Sequence, residues 1–148
     1  QSTFISSTFW TERIGPTAAL ATLEVMAEEE SWKQITETGQ KIMKNWSLLA
    51  KEHDLDITIS GLPAIPSFSF NSPNALAYKT LITQEMLSNN FLSSNLIFSS
   101  LAHTPLIVEK YFEHLDLIFG LIRECESGRD VMSLLNGPVC HSGFKRLN

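Results

Sequence analysis

The chain has 148 residues, of which 43% are hydrophobic and 18% charged, and its formal net charge is −5. That is enough apolar material for one domain with a core and too much for a disordered chain. The acidic balance disfavours nucleic acid as a partner, and no apolar run approaches the ~20 residues that span a bilayer.

From Ser2 onward the chain carries Ser, Thr and aromatic residues in extended order, followed by Gly15-Pro16 and an alanine-rich stretch. A helix is expected from Ile14 to Glu29. Proline suits a first turn, because its missing N–H would be unpaired there. Ala18, Ala19 and Ala21 leave almost no side chain, so another backbone can approach closely. The hydroxyl- and N–H-rich entry to this helix is also a seat that an anion can use; the plainer reading is an ordinary capped packing helix. Glu28-Glu29-Glu30 reads as a solvated acidic corner. Ser31 with Gln34 fits a capping box that opens a second helix, running to Glu52. Its apolar stripe is Ile35, Ile42, Trp46 and Leu49, and Gly39 lies on it. A mid-helix glycine costs about 1 kcal/mol against alanine, so a close crossing is expected at that point.

Leu55, Ile57 and Ile59 alternate with polar residues and predict a strand, broken by Gly61 and Pro63. Phe68 and Phe70 alternate with Ser67 and Ser69 in a second strand, and the short connection makes the two antiparallel neighbours. Asn71-Ser72-Pro73 starts a helix over Asn74 to Ser88, which Asn89-Asn90 closes. A third strand is expected within Phe91 to Leu101, centred on Leu96-Ile97-Phe98. Thr104 should cap, and Pro105 open, a last long helix reaching Glu126. Val108, Tyr111, Phe112, Leu115, Ile118, Phe119 and Ile122 form its apolar face. Gly128 is the stop, a short helical turn is expected around Asp130 to Leu135, and the remaining tail is irregular. This order of elements predicts an α+β fold, a small, mainly antiparallel sheet of three to four strands covered by helices.

Few side chains announce chemistry. Cys140-His141 stand side by side, but neighbours rarely point at one another and no second pair sits at zinc spacing, so no metal site is expected. Cys125 and Cys140 make no disulfide framework; reduced thiols in a cytoplasmic protein are the expectation, and no signal peptide is expected in the chain, which opens at Gln1 with no basic segment leading into a hydrophobic one. His103 beside Thr104 reads as a helix-start hydrogen bonder, and His53 and His114 as solvated. Trp10, near Thr8, is either the wall of a site or a packing residue. Arg13 offers a fork to a carboxylate or phosphate, with a surface ion pair as the plainer role.

Ser7-Thr8-Phe9, followed at fixed spacing by Ala18-Ala19-Leu20-Ala21-Thr22-Leu23, resembles the segment after the cofactor lysine in class III pyridoxal-phosphate (PLP) aminotransferases. The glutamate-1-semialdehyde 2,1-aminomutase branch is the nearest in pattern. Glu12-Arg13-Ile14 stands where that family carries Gly-Asn-Pro, and the proline follows two residues late at Pro16. A hydrophobic strand, Ser100-Leu101-Ala102-His103-Thr104 and a final amphipathic helix are similar to the end of the same family. The resemblance covers about Ser2 to Cys125. It implies the C-terminal small domain of a fold-type I PLP enzyme. Residues 1–12 would be an inter-domain and inter-subunit arm, 13–128 the domain, and 129–148 a tail packed on it. It also implies that Thr8, with Ser7, grips the PLP phosphate in a cytoplasmic homodimer acting on a small amino or keto substrate. The chemistry needs a Schiff-base lysine, an acid partner for the ring nitrogen and a stacking group. Every lysine here follows the motif, so the 148 residues are expected to be a piece of a longer enzyme, without a catalytic residue and inactive alone. The competing expectations are another class III aminotransferase, and a non-catalytic α+β interaction module.

Overall fold

The computed structural model describes Thr8 and residues 12–143. The chain divides into two compact units, Gln1–Lys33 and Gln34–Asn148, and each is described by itself.

In the first unit, helix α1 spans Ile14–Glu28. Its start carries no hydroxyl cap. Instead the Glu12 carboxylate accepts hydrogen bonds from the Ile14 and Gly15 N–H groups. A negative side chain is favoured there by the helix dipole as well as by the free N–H groups. No residue of α1 is buried. Glu30 takes a positive φ of 46° to turn the corner, and Lys33 pairs with its carboxylate. Ser31 is the first residue of helix α2, which spans Ser31–Glu52. Its hydroxyl makes no hydrogen bond, so the capping box expected with Gln34 does not form.

In the second unit, α2 buries Ile42, Trp46, Leu49 and Ala50. Gly39 marks the crossing its position predicted: a Cβ there would stand 1.6 Å from the Pro63 carbonyl oxygen. Strands β1 (Ile57–Leu62) and β2 (Ile65–Phe70) are antiparallel and meet in a tight turn at Pro63-Ala64. Gly61, at φ 91°, has the Ile65 carbonyl within 2.3 Å of where a Cβ would be. Pro66, Phe68 and Phe70 face inward from β2 while Ile65 and Ser69 stay exposed, the two-residue alternation of a half-buried strand.

The three- to four-stranded sheet is not what the described residues form: the sheet has two strands. The third segment lies where it was expected, antiparallel to β2, but it is reduced to an isolated bridge between Ser67 and Leu96. Ser99 N–H donates to Ala64 O, Ile97 N–H to Pro66 O, and Phe68 N–H to Asn95 O. Pro66 stands opposite Ile97 and has no N–H to return. At the next pair the Asn95 side-chain amide bonds Phe68 O. A ladder bonded mostly in one direction is the physical reason the segment falls short of a full strand.

Helix α3 (Ala75–Ser88) is closed by Asn89 and by Asn90, which adopts φ 65° as the Asn-Asn pair predicted. Helix α4 (Pro105–Glu126) is capped by Thr104, whose Oγ1 accepts from Ile107 N–H, with proline in the first turn. It buries Val108, Tyr111, Leu115, Ile118, Phe119, Ile122 and Cys125. A 3₁₀ turn at Val131–Leu134 follows, capped by Asp130. The core centres on rings: Trp46 and Phe68 lie 4.8 Å apart, Phe70 and Phe119 5.6 Å, and Phe70 and Tyr78 5.3 Å, all tilted or edge-on. Such geometry adds about 0.5–1.5 kcal/mol per pair beyond area burial. The Trp46 indole N–H donates to Tyr111 Oη at 2.9 Å, so the buried polar tips satisfy each other. The result is a small α+β domain with helices flanking a two-stranded antiparallel sheet.

Candidate functional site

Of the residues singled out for a cofactor phosphate, Thr8 is exposed. Ser7 and Trp10 lie outside the described residues, as does most of the expected arm 1–12. Arg13 is exposed at the start of α1. Two N–H groups of that helix start, the kind of donors an anion would use, are taken by the chain's own Glu12.

The second unit places the Ser100–Thr104 motif beside a cavity of about 290 Å³. The chain enters it from the bridged segment 95–99 and leaves it through the α4 cap, so both ends of the loop are pinned. His103 lines the cavity. Its Nδ1 accepts the Ser100 N–H at 3.1 Å, and Ser100 Oγ lies 2.9 Å from the same nitrogen. That bond leaves Nε2 as the protonated nitrogen of the neutral ring. The expected helix-start bonder is therefore found, but its partner is the loop serine, while Thr104 does the capping. Tyr111 also lines the cavity. Burial pushes its phenol above the ordinary tyrosine value, partly offset by the Trp46 indole N–H. Sequence reasoning named His103 but missed the cavity, because its walls come from α2, the 91–98 segment and α4. The early signal was two apolar clusters, Phe91-Leu92 and Leu96-Ile97-Phe98, in which neighbouring residues cannot all share one strand face.

A second hollow is polar and already satisfied. Arg123 pairs with Asp54 at 2.9 Å. Asn71 donates to Asp56 at 2.8 Å and accepts from Thr58, and Ser72 donates to Glu126 at 2.8 Å. Tyr78 beside it has its phenol raised, chiefly by burial and then by the Glu126 carboxylate. These bonds tie the connection between α2 and β1, the sheet and α4 together and leave little to offer a ligand.

The other titratable candidates settle into packing. His53, expected in solvent, bonds Asp116 and meets Phe119 edge-on at 6.4 Å. His114 packs its ring against Phe91 at 5.6 Å. Among the described residues both cysteines are free thiols, and burial pushes the Cys125 thiol upward. Cys140 N–H donates to Thr80, and His141 is exposed. Among the described residues no three His, Cys, Asp or Glu side chains gather as metal ligands, and no helix is long and apolar enough to cross a membrane. The 290 Å³ cavity contains neither the lysine nor the carboxylate that PLP requires, so it does not fit that cofactor.

The fold is similar to that of the FumI protein of Sphingopyxis sp. MTA144, solved in its PLP internal aldimine form, with a TM-score of 0.71 and 18% identity. The match covers 90% of this chain and 33% of that one, so the chain spans a third of the length of its structural relative. At that identity the likeness is one of fold: this is an α+β domain similar in structure to part of that PLP-bound protein. No family model matches, and no curated protein sequence matches.

Proposed function

We propose that the chain is the C-terminal small domain of a cytoplasmic, homodimeric, fold-type I PLP enzyme that resembles glutamate-1-semialdehyde 2,1-aminomutase. In this reading residues 1–12 form the arm between domains and subunits, 13–128 the domain, and 129–148 a tail packed on it. Thr8, with Ser7, contacts the PLP phosphate, and the Schiff-base lysine comes from a part of the enzyme outside these 148 residues. The parent moves an amino group within glutamate 1-semialdehyde to give 5-aminolevulinate. The observation that carries the reading is the fold likeness to FumI over nine-tenths of this chain. The Ser7-Thr8-Phe9 and Ala18–Leu23 spacing adds the choice of family.

The test is product analysis with the full-length enzyme. Conversion of glutamate 1-semialdehyde to 5-aminolevulinate without an added amino acceptor supports the mutase. Turnover only with a separate amine and keto acid makes the parent another class III aminotransferase. No turnover of either kind by a PLP-loaded enzyme favours the non-catalytic module.

A further inference from the structure

We propose that the cavity beside Ser100–Thr104 is a binding site for a small carboxylic acid with an apolar body, its carboxylate on His103 Nε2. At about 290 Å³ the cavity sits at the small end of ligand sites, which run ~300–1,000 Å³. Phe91, Leu96, Ile97 and Val108 supply apolar walls, the lining that small-molecule sites share. His103 is the one imidazole in the lining, and its tautomer is pre-set. Ser100 holds Nδ1 through its backbone N–H, which leaves the Nε2–H as a donor, and no described residue bonds to it. Helix α4 begins just beyond, at Pro105, and its N-terminal end carries partial positive charge.

The lining also says what is excluded. No Asp or Glu lines the cavity, so a cationic ligand meets no counter-charge. No Lys or Arg lines it either, so a phosphate would lack the cations that usually hold one. A singly charged acid matches one imidazole donor beside a helix start. Leu92 and Phe98 stand exposed at the rim, at 94% and 67%, where an apolar body would cover them. The proposal rests on this cavity alone and not on the PLP reading.

Phenylacetate is the probe, titrated into the 148-residue chain while methyl and histidine-ring NMR signals are followed. The expected result is saturable shifts at Leu96, Ile97, Ile107, Val108 and the His103 ring, with a dissociation constant on the order of 1 mM. His103→Phe keeps the apolar wall and should weaken binding about tenfold, the cost of one charge-assisted hydrogen bond. Ile107 lines the cavity and is 41% exposed, so Ile107→Trp fills it without a core clash and should abolish the shifts. The melting temperature of each variant reports that the fold is kept, and if one fails to fold the other decides. The absence of saturable shifts at about 10 mM phenylacetate overturns the proposal. So does unchanged affinity in folded His103→Phe, or a signal that survives in folded Ile107→Trp.

Discussion

Helices α1 and α4 are built alike in sequence and differ in structure. Each has a proline in its first turn and a run of aliphatic residues after it. α4 buries seven side chains, among them Leu115, Phe119 and Ile122, each without exposed surface. α1 buries none, and Leu20 and Leu23 stand 63% and 61% exposed. The difference lies in spacing. The apolar residues of α4 recur three and four apart and form a face. Those of α1 are spread around the helix, with alanines between them. At 15 residues α1 is near the length at which isolated helices are marginal in water. Its stability in this chain comes from local capping, and that of α4 from packing.

This contrast can be broken at several points. Phe119→Ala, in the aromatic core, should cost about 3–5 kcal/mol, read from denaturant midpoints. If it costs less than a surface change, the core has been misassigned. Tyr111→Phe orphans the buried Trp46 indole N–H and should cost about 1–3 kcal/mol. It should also flatten the alkaline limb of stability. Burial raises the Tyr111 phenol above its usual value, so the unfolded chain ionises first. The contribution is complete below about pH 10 and fades as pH rises from there toward the folded-state value. An unchanged alkaline slope in the variant would count against that burial. Thr104→Ala removes the α4 cap and should cost about 1 kcal/mol. Glu12→Ala should leave global stability within about 0.5 kcal/mol while amide exchange in α1 speeds up. Leu20→Ala, in α1, should likewise stay within about 0.5 kcal/mol. A loss of core size there would mean that α1 is covered in solution.

Much of the fold was legible because local chemistry and tertiary structure agree. Thr104-Pro105 could only start a helix well, and Gly39 on an apolar stripe predicted the close approach that the Pro63 carbonyl makes. The third strand was located correctly but over-read, since periodicity does not show that its partner at Ile97 is a proline. Ser31 looked like a cap in sequence, yet the corner at Glu30 places it inside the helix. His53 was assigned to solvent because Asp116, 63 positions away, is invisible to local pattern. The cavity is harder still to read, since Ile42, Phe91 and Tyr111 converge only after folding. The resemblance named Thr8, but the geometry around that residue belongs to a part of the chain that the described residues barely reach.

The most direct test of the proposed reading is the visible absorption spectrum of the full-length protein supplied with PLP, before and after an amino donor is added. The account predicts a Schiff-base band that converts to the amine form of the cofactor, weakened or lost at matched PLP concentration in Thr8→Val. The absence of any such band with PLP in excess would contradict it, and would leave the fold likeness without the chemistry.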